Sequence, residues 1–160
     1  MKYNKNYYLQ QKVQFEDCDL QGIVHHPKLF CYLERARISA LADEDIKYQD
    51  MLREEMGFVL SDINIRFSQP LKLGQSFWIT TKVVGAYKNY LKLHQTISLD
   101  KITEDHMKAI NPICYAKLRV CIVNTNDISP INESHTIFKK LDYNQSKNTL
   151  KDIMVKHPYL

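Results

Sequence analysis

The sequence predicts an α+β protein in which a five-stranded antiparallel sheet carries one long apolar helix. Three observations lead there. A run without Pro or Gly extends from Lys28 to about Asp43, with Leu29, Leu33, Ala36 and Ala40 at helical spacing and Phe30, Ile38 and Leu41 widening the stripe. After Gly57 the apolar period changes from helical to two and holds through four strand-like segments. Most turns between them are short, marked by Pro70 and Gly74 and by the stretch from Tyr87 to Tyr90. Short turns favour antiparallel neighbours.

Taken in order, residues 7–16 form the first strand, with Leu9, Val13 and Phe15 alternating with polar neighbours and Gln11 the one break in that face. Asp17 to His26 is a loop, with Gly22 as its flexible point. The long helix begins at or near Pro27, because proline suits the first helical turn. A shorter polar helix over 46–56 ends at Gly57. The second strand places Val59, Ile63, Ile65 and Phe67 on one face and Asp62, Asn64 and Arg66 on the other. Phe77 to Val84 is apolar on both faces. The fourth strand sets Leu91, Leu93, Ile97 and Leu99 against Lys92, His94, Thr96 and Ser98. A polar excursion over 100–111 leads to Pro112. The fifth strand then turns Cys114, Ala116, Leu118, Val120 and Ile122 inward, and Tyr115, Lys117 and Arg119 outward. Short helices are expected over 133–141 and 146–157. Residues 1–141 read as one domain and 142–160 as a helical C-terminal extension. A sheet of this size has edges to protect, and pairing them across a two-fold axis predicts a dimer.

The 160 residues, 44% of them hydrophobic, suit one folded domain. The net charge of +4, from 22 basic and 18 acidic residues, is too small and too scattered to indicate nucleic acid. No apolar run approaches the ~20 residues of a membrane span, so no integral membrane segment is expected. The N-terminus has no apolar signal core, and a cytoplasmic setting is expected. The four cysteines, Cys18, Cys31, Cys114 and Cys121, lack C-x-x-C spacing and read as free thiols. Cys114 and Cys121 have opposite strand parity, so no disulfide is expected between them.

The chemistry concentrates between Phe15 and Arg37. Asp17, Asp19, His25 and His26 sit just before a helix N-terminus, whose free N–H groups favour developing negative charge. A carboxylate with a pKa near ~3.9 is ionised at neutral pH and can attack a carbonyl or activate water. An Asp in this position also serves turns and caps. Gly22 gives the backbone its turn, and Pro27 itself donates no N–H. Lys28 and His26 supply the N–H groups nearest the helix start. A nucleophilic Cys18 would need a depressed pKa, and neighbouring side chains on an extended loop point apart. No metal is expected, since adjacent histidines diverge and no second ligand cluster exists.

These residues carry a resemblance. Phe15-Glu16-Asp17-Cys18-Asp19, Gly22, Ile23-Val24-His25-His26 and Glu34-Arg35-Ala36-Arg37 resemble the motif of the 4-hydroxybenzoyl-CoA thioesterase type of hotdog-fold enzymes. The branch they most resemble is the acyl-CoA thioesterases associated with the Tol-Pal cluster. The resemblance spans roughly residues 8–140 in element order. It implies a sheet wrapped round the central helix and hydrolysis of an acyl-CoA or acyl-phosphopantetheine thioester without a cofactor. Asp19 would be nucleophile or general base, and His26 a second catalytic residue. Gly22, Pro27 and Lys28 would contact substrate; His25, which has no match to the family's histidine, is a further candidate for substrate contact beside them. Asp17 is then structural, and Glu34 sits at the rim. The site would form at a subunit interface in a homodimer or homotetramer. Lys88, Arg66, Lys117 and Arg119 are candidates for the coenzyme's phosphates. Phe15 stands where the family has Tyr, Leu20-Gln21 precede Gly22 where small residues are common, and Tyr90 replaces a small hydroxyl residue at the hairpin. The other expectations are a thioesterase directed at acyl-carrier-protein or polyketide chains, and a hotdog module that binds acyl-CoA without turnover.

Overall fold

The computed structural model describes residues 1–2, 4–87, 89–103 and 111–131. Strand β1 (Asn6–Lys12) leads through a single 3-10 turn at Phe15–Asp17 to helix α1 (His26–Ala42) and a short helix α2 (Tyr48–Arg53). Strands β2 (Met56–Phe67), β3 (Ser76–Ala86), β4 (Tyr90–Ser98) and β5 (Cys114–Asn124) follow. All pairings are antiparallel, in the order β1-β3-β4-β5-β2. The order of elements is as expected, but the first strand ends at Lys12, and Phe15, placed on its apolar face, lies in the turn and is 83% exposed. The two helices expected near the C-terminus and the 142–160 extension lie outside the described residues.

Helix α1 covers one face of the sheet. Leu29, Tyr32, Leu33, Ala36, Ala40 and Leu41 are buried, against strand residues such as Phe77, Ile79, Leu93, Ile97 and Ile122. Burying each large side chain contributes on the order of 1.5–3 kcal/mol, which outweighs the helix's modest intrinsic stability. The buried stripe is rotated from the sequence expectation. Tyr32 is inside, whereas Ile38 is 41% exposed. Ile38 instead flanks a cavity between α1 and β2 that also touches Phe58 and Leu60.

Strand β2 corrects a second expectation. Its register with β5 shifts between Leu60 and Asp62. An extra residue at a bulge reverses which side chains face inward. Phe58 packs on the core before the bulge, and Ile63 and Ile65 after it. Val59, grouped with Ile63 by strict alternation, is 39% exposed. Leu99, placed on the apolar face of the fourth strand, lies just past its end and is 47% exposed.

A buried polar contact locks the helix to the sheet. Gln95 on β4 is fully buried. Its Nε2 donates to the Leu33 carbonyl at 2.9 Å and to Thr81 Oγ1 at 2.8 Å. Its Oε1 accepts from Arg37 Nη1 at 3.0 Å. Every polar atom of the amide is used, which buried polar groups require.

Candidate active site

The loop before α1 is stitched to the turn that follows β2. Isolated bridges join Cys18 to Val24 and Ile23 to Lys72. The Val24 N–H donates to Leu71 O, and the Leu73 N–H to Gly22 O, both at 2.9 Å. Gly22 has φ +71°, a left-handed conformation that favours glycine. Its N–H returns to Asp19 O at 3.0 Å, which closes the turn.

The two loop aspartates differ sharply. Asp17 is buried. It accepts the Tyr32 hydroxyl at 2.6 Å and the Gln14 N–H at 3.1 Å, and pairs with Lys28 Nζ at 3.2 Å. Burial pushes its carboxyl up, but the Tyr32, Gln14 and Lys28 contacts together outweigh that and hold it below the usual value. This aspartate ties the loop to α1. Asp19 is half-buried and faces an open groove of about 730 Å³, with Gly22, His25, Leu20 and Leu73 among the other walls. Its Oδ1 accepts the Gln21 N–H at 2.9 Å and the Ile23 N–H at 3.1 Å. Its Oδ2 has no hydrogen-bond partner among the described residues. The carboxylate is therefore aimed by the backbone through one oxygen while the other stays unengaged.

The start of α1 completes the geometry. His25 is the N-cap and provides no side-chain cap. The His25 N–H is taken by Asp17 O at 3.0 Å and the Lys28 N–H by His25 O at 2.9 Å. Pro27 has no N–H. The His26 N–H makes no hydrogen bond among the described residues. The two histidines separate in space. His25 lines the groove with Asp19, and His26 sets its ring against Phe67 of β2, centroids 4.6 Å apart.

Of the residues singled out from the sequence, the groove thus brings together Asp19, Gly22 and His25. Pro27 and His26 shape the helix start, and Lys28 turns to Asp17. Leu73 was not legible, because it arrives from a turn more than fifty positions along the chain. Tyr32 was legible only as another residue near the apolar stripe, its hydroxyl having no local signal. Cys18 also lines the groove, but burial and the charges of Asp17 and Asp19 push its thiol up, which disfavours a thiolate. Among the described residues no cluster of three or more His, Cys, Asp or Glu side chains is placed to hold a metal ion.

A sheet of this order folded round one helix, with an acid loop at the helix start, defines the hotdog class. Residues 13–137 match the family model described as the thioesterase-like superfamily, and the chain belongs to that superfamily. It is 29% identical over 121 residues to the acyl-CoA thioesterase YbgC of Helicobacter pylori, covering 75% of this chain and 88% of that one. It is 27% identical over 86 residues to the acyl-CoA thioester hydrolase YbgC of Escherichia coli O6:H1, covering 54% and 64%. Among solved structures, a DHNA-CoA thioesterase from Staphylococcus aureus superposes with a TM-score of 0.71 at 13% identity, over 87% of this chain and 86% of that chain. Among the described residues no helix is long and apolar enough to cross a membrane.

Proposed function

We propose that this enzyme hydrolyses an acyl-CoA thioester to the free acid and coenzyme A, with Asp19 as the reacting group. The observation that carries the reading is the state of Asp19. Its backbone-fixed carboxylate lies on an open groove beside the start of α1, with one oxygen unengaged. The names of the curated relatives support the substrate class.

A thioester carbonyl held by the N-terminal turn of α1 meets the His26 N–H, the free donor for an oxyanion at this helix end. Two routes fit. The Asp19 carboxylate attacks the carbonyl carbon, coenzyme A leaves as its thiolate and takes a proton, and water hydrolyses the mixed anhydride. Alternatively Asp19 removes a proton from a water that attacks directly, and the carboxyl later protonates the leaving sulfur. The His25 ring orients the carbonyl or the water, and Gly22 lets the thioester approach the backbone. His26 acts through its N–H while its ring braces Phe67. Lys28 acts by holding Asp17. The outer edge of β2, unpaired among the described residues, pairs with a second copy, giving a dimer or tetramer that works in the cytoplasm.

The test is release of free thiol from a panel of acyl-CoA substrates of varied chain length, with acyl-carrier proteins as a parallel series. Turnover of acyl-CoA supports the reading. Turnover of carrier-protein thioesters alone reassigns the substrate, and tight acyl-CoA binding without thiol release removes the activity.

A further inference from the structure

The groove that holds Asp19 has an apolar rim that the chemistry at the carboxylate does not use. Phe15, Leu20 and Leu73 all line it. Leu20 is wholly exposed, Phe15 nearly so, and Leu73 is 47% exposed. A single exposed apolar side chain is ordinary, but three that converge on one depression from separate segments mark a binding surface. Two of them stand where the chain departs from the motif its loop resembles: Phe15 in place of Tyr, and Leu20 where small residues are common.

Backbone contacts hold the rim in place. Leu20 is the first central residue of the turn that the Gly22 N–H closes on Asp19 O at 3.0 Å. Leu73 has the same place in the next turn, which the Gln75 N–H closes on Lys72 O at 3.2 Å with Gly74 at φ +78°. The Leu73 N–H on Gly22 O ties the two turns together. Phe15 opens the 3-10 turn two residues after Val13. The Val13 N–H donates to Gln75 O at 3.0 Å, and the Gly74 N–H to Val13 O at 3.3 Å, which fixes that turn against the one carrying Leu73. The three side chains are thus set relative to the carboxylate before any ligand arrives, and such preorganisation lowers the entropic cost of binding. Cys18 adds a neutral wall. Its thiol donates to Gln14 O at 3.7 Å, and burial, then the charges of Asp17 and Asp19, keep it protonated.

We propose that this rim receives the acyl chain of the substrate and selects long aliphatic acyl groups over short, polar or aromatic ones. The argument is positional. Among the described residues Asp19 is the one carboxylate lining the groove, and a carbonyl placed at its unengaged oxygen leaves its substituent on Leu20, Leu73 and Phe15. An aliphatic chain covers all three, and each methylene moved from water onto them adds to binding. A short acyl group leaves them in water, and a hydroxyl on the chain would be desolvated against apolar walls. A planar ring needs a closed slot, and these side chains are too exposed to form one. The rim surrounds the reacting group, so its occupant must leave the carboxylate accessible. A substrate chain does so, whereas a membrane or a second copy seated on the mouth would close it. The placing of the carbonyl rests on the hydrolytic reading of Asp19; the affinity of the rim for an aliphatic chain does not.

The test compares the intact wild-type chain with the Phe15→Ser/Leu20→Ser double variant and with Leu73→Ser. Values of kcat/KM are measured for butyryl-, octanoyl-, lauroyl- and benzoyl-CoA, and binding of butanol and octanol is followed by NMR without turnover. A fully buried methylene is worth about fourfold and a half-buried one about twofold. Wild type is therefore expected to favour octanoyl- over butyryl-CoA by roughly tenfold, and each variant by about threefold or less. A general loss of activity does not move this ratio, and melting temperatures are expected to hold because the replaced side chains lie at the surface. Octanol is expected to shift the amide signals of residues 20–23 and 73 in wild type at a roughly tenfold lower concentration than butanol. If the variants abolish that difference while no thioester is hydrolysed, the chain site stands and the hydrolytic reading falls. A flat chain-length series, a ratio the variants leave unchanged, or a preference for benzoyl-CoA would overturn the proposal with hydrolysis intact. Loss of phosphatidylcholine–phosphatidylglycerol vesicle binding or of self-association in the variants, at an unchanged ratio, would overturn it too and give the rim to a membrane or to a second copy.

Discussion

Two residues apart in sequence, Asp17 and Asp19 show how burial divides labour between like side chains. Asp17 is enclosed by Tyr32, Gln14 and Lys28, and Asp19 is held by two backbone N–H groups at the groove. Replacing Asp17 by Ala strands the Tyr32 hydroxyl and the Lys28 charge. It is expected to cost about 2–3 kcal/mol, read as a lowered denaturation midpoint with an unchanged denaturant slope. The histidines give a second contrast. With His25 on the groove and His26 against Phe67, His25→Ala is expected to lower kcat/KM by more than His26→Ala, because the latter leaves its N–H in place. Equal losses in steady-state assays would contradict that split. The sequence showed this loop as the place of chemistry because an acid, a glycine and two histidines crowd before one helix start. It could not show which histidine faces the groove, since that depends on where Phe67 of β2 and Leu73 of the turn after it arrive from far along the chain.

At the level of the elements, α1 is held by apolar burial and by one polar clasp at Gln95. The Gln95→Leu change keeps volume but leaves the Leu33 carbonyl contact, Thr81 and Arg37 without their partner. Thermal unfolding is expected to show a loss of about 1–3 kcal/mol, against near-neutrality if the clasp were idle. Element order, strand type and the long helix were legible because period two and period 3.6 are distinct over long runs. The β2 bulge was not, since Ser61 is an ordinary residue and only pairing with β5 reveals the extra position. The burial of Tyr32 was hidden for a related reason. Its hydroxyl marks it as polar, and only the Asp17 carboxylate makes the interior acceptable to it.

Across the molecule, acid sensitivity follows from three groups whose shifts act together. Asp17 and Glu44 are held low despite burial, Glu44 by Lys5 and Tyr7 above all. Each binds fewer protons folded than unfolded, so its contribution is full above the unfolded value and is lost as pH falls through the folded one. His94 is also held low, so below about pH 6.5 the unfolded chain takes up the proton more readily than the folded one. Stability is therefore expected to rise with pH through the acid range, declining first below about pH 6.5 and more steeply near pH 4 and below. Chemical denaturation at a series of pH values checks this, and a flat profile would contradict it. The edge of β2, with Val59, Leu60 and Phe67 each more than a third exposed, is expected to be covered by a second copy. Light scattering should return two or four chains, and a monomer would remove the shared-site part of the account.

The account turns on the carboxylate of residue 19. Asn keeps the Oδ1 acceptor that the Gln21 and Ile23 N–H groups require, so Asp19→Asn preserves the turn while removing the charge. With thiol release from acyl-CoA measured at saturation, kcat is expected to fall by about 10²–10⁴-fold with melting behaviour unchanged. A kcat within a few-fold of wild type would contradict the central claim.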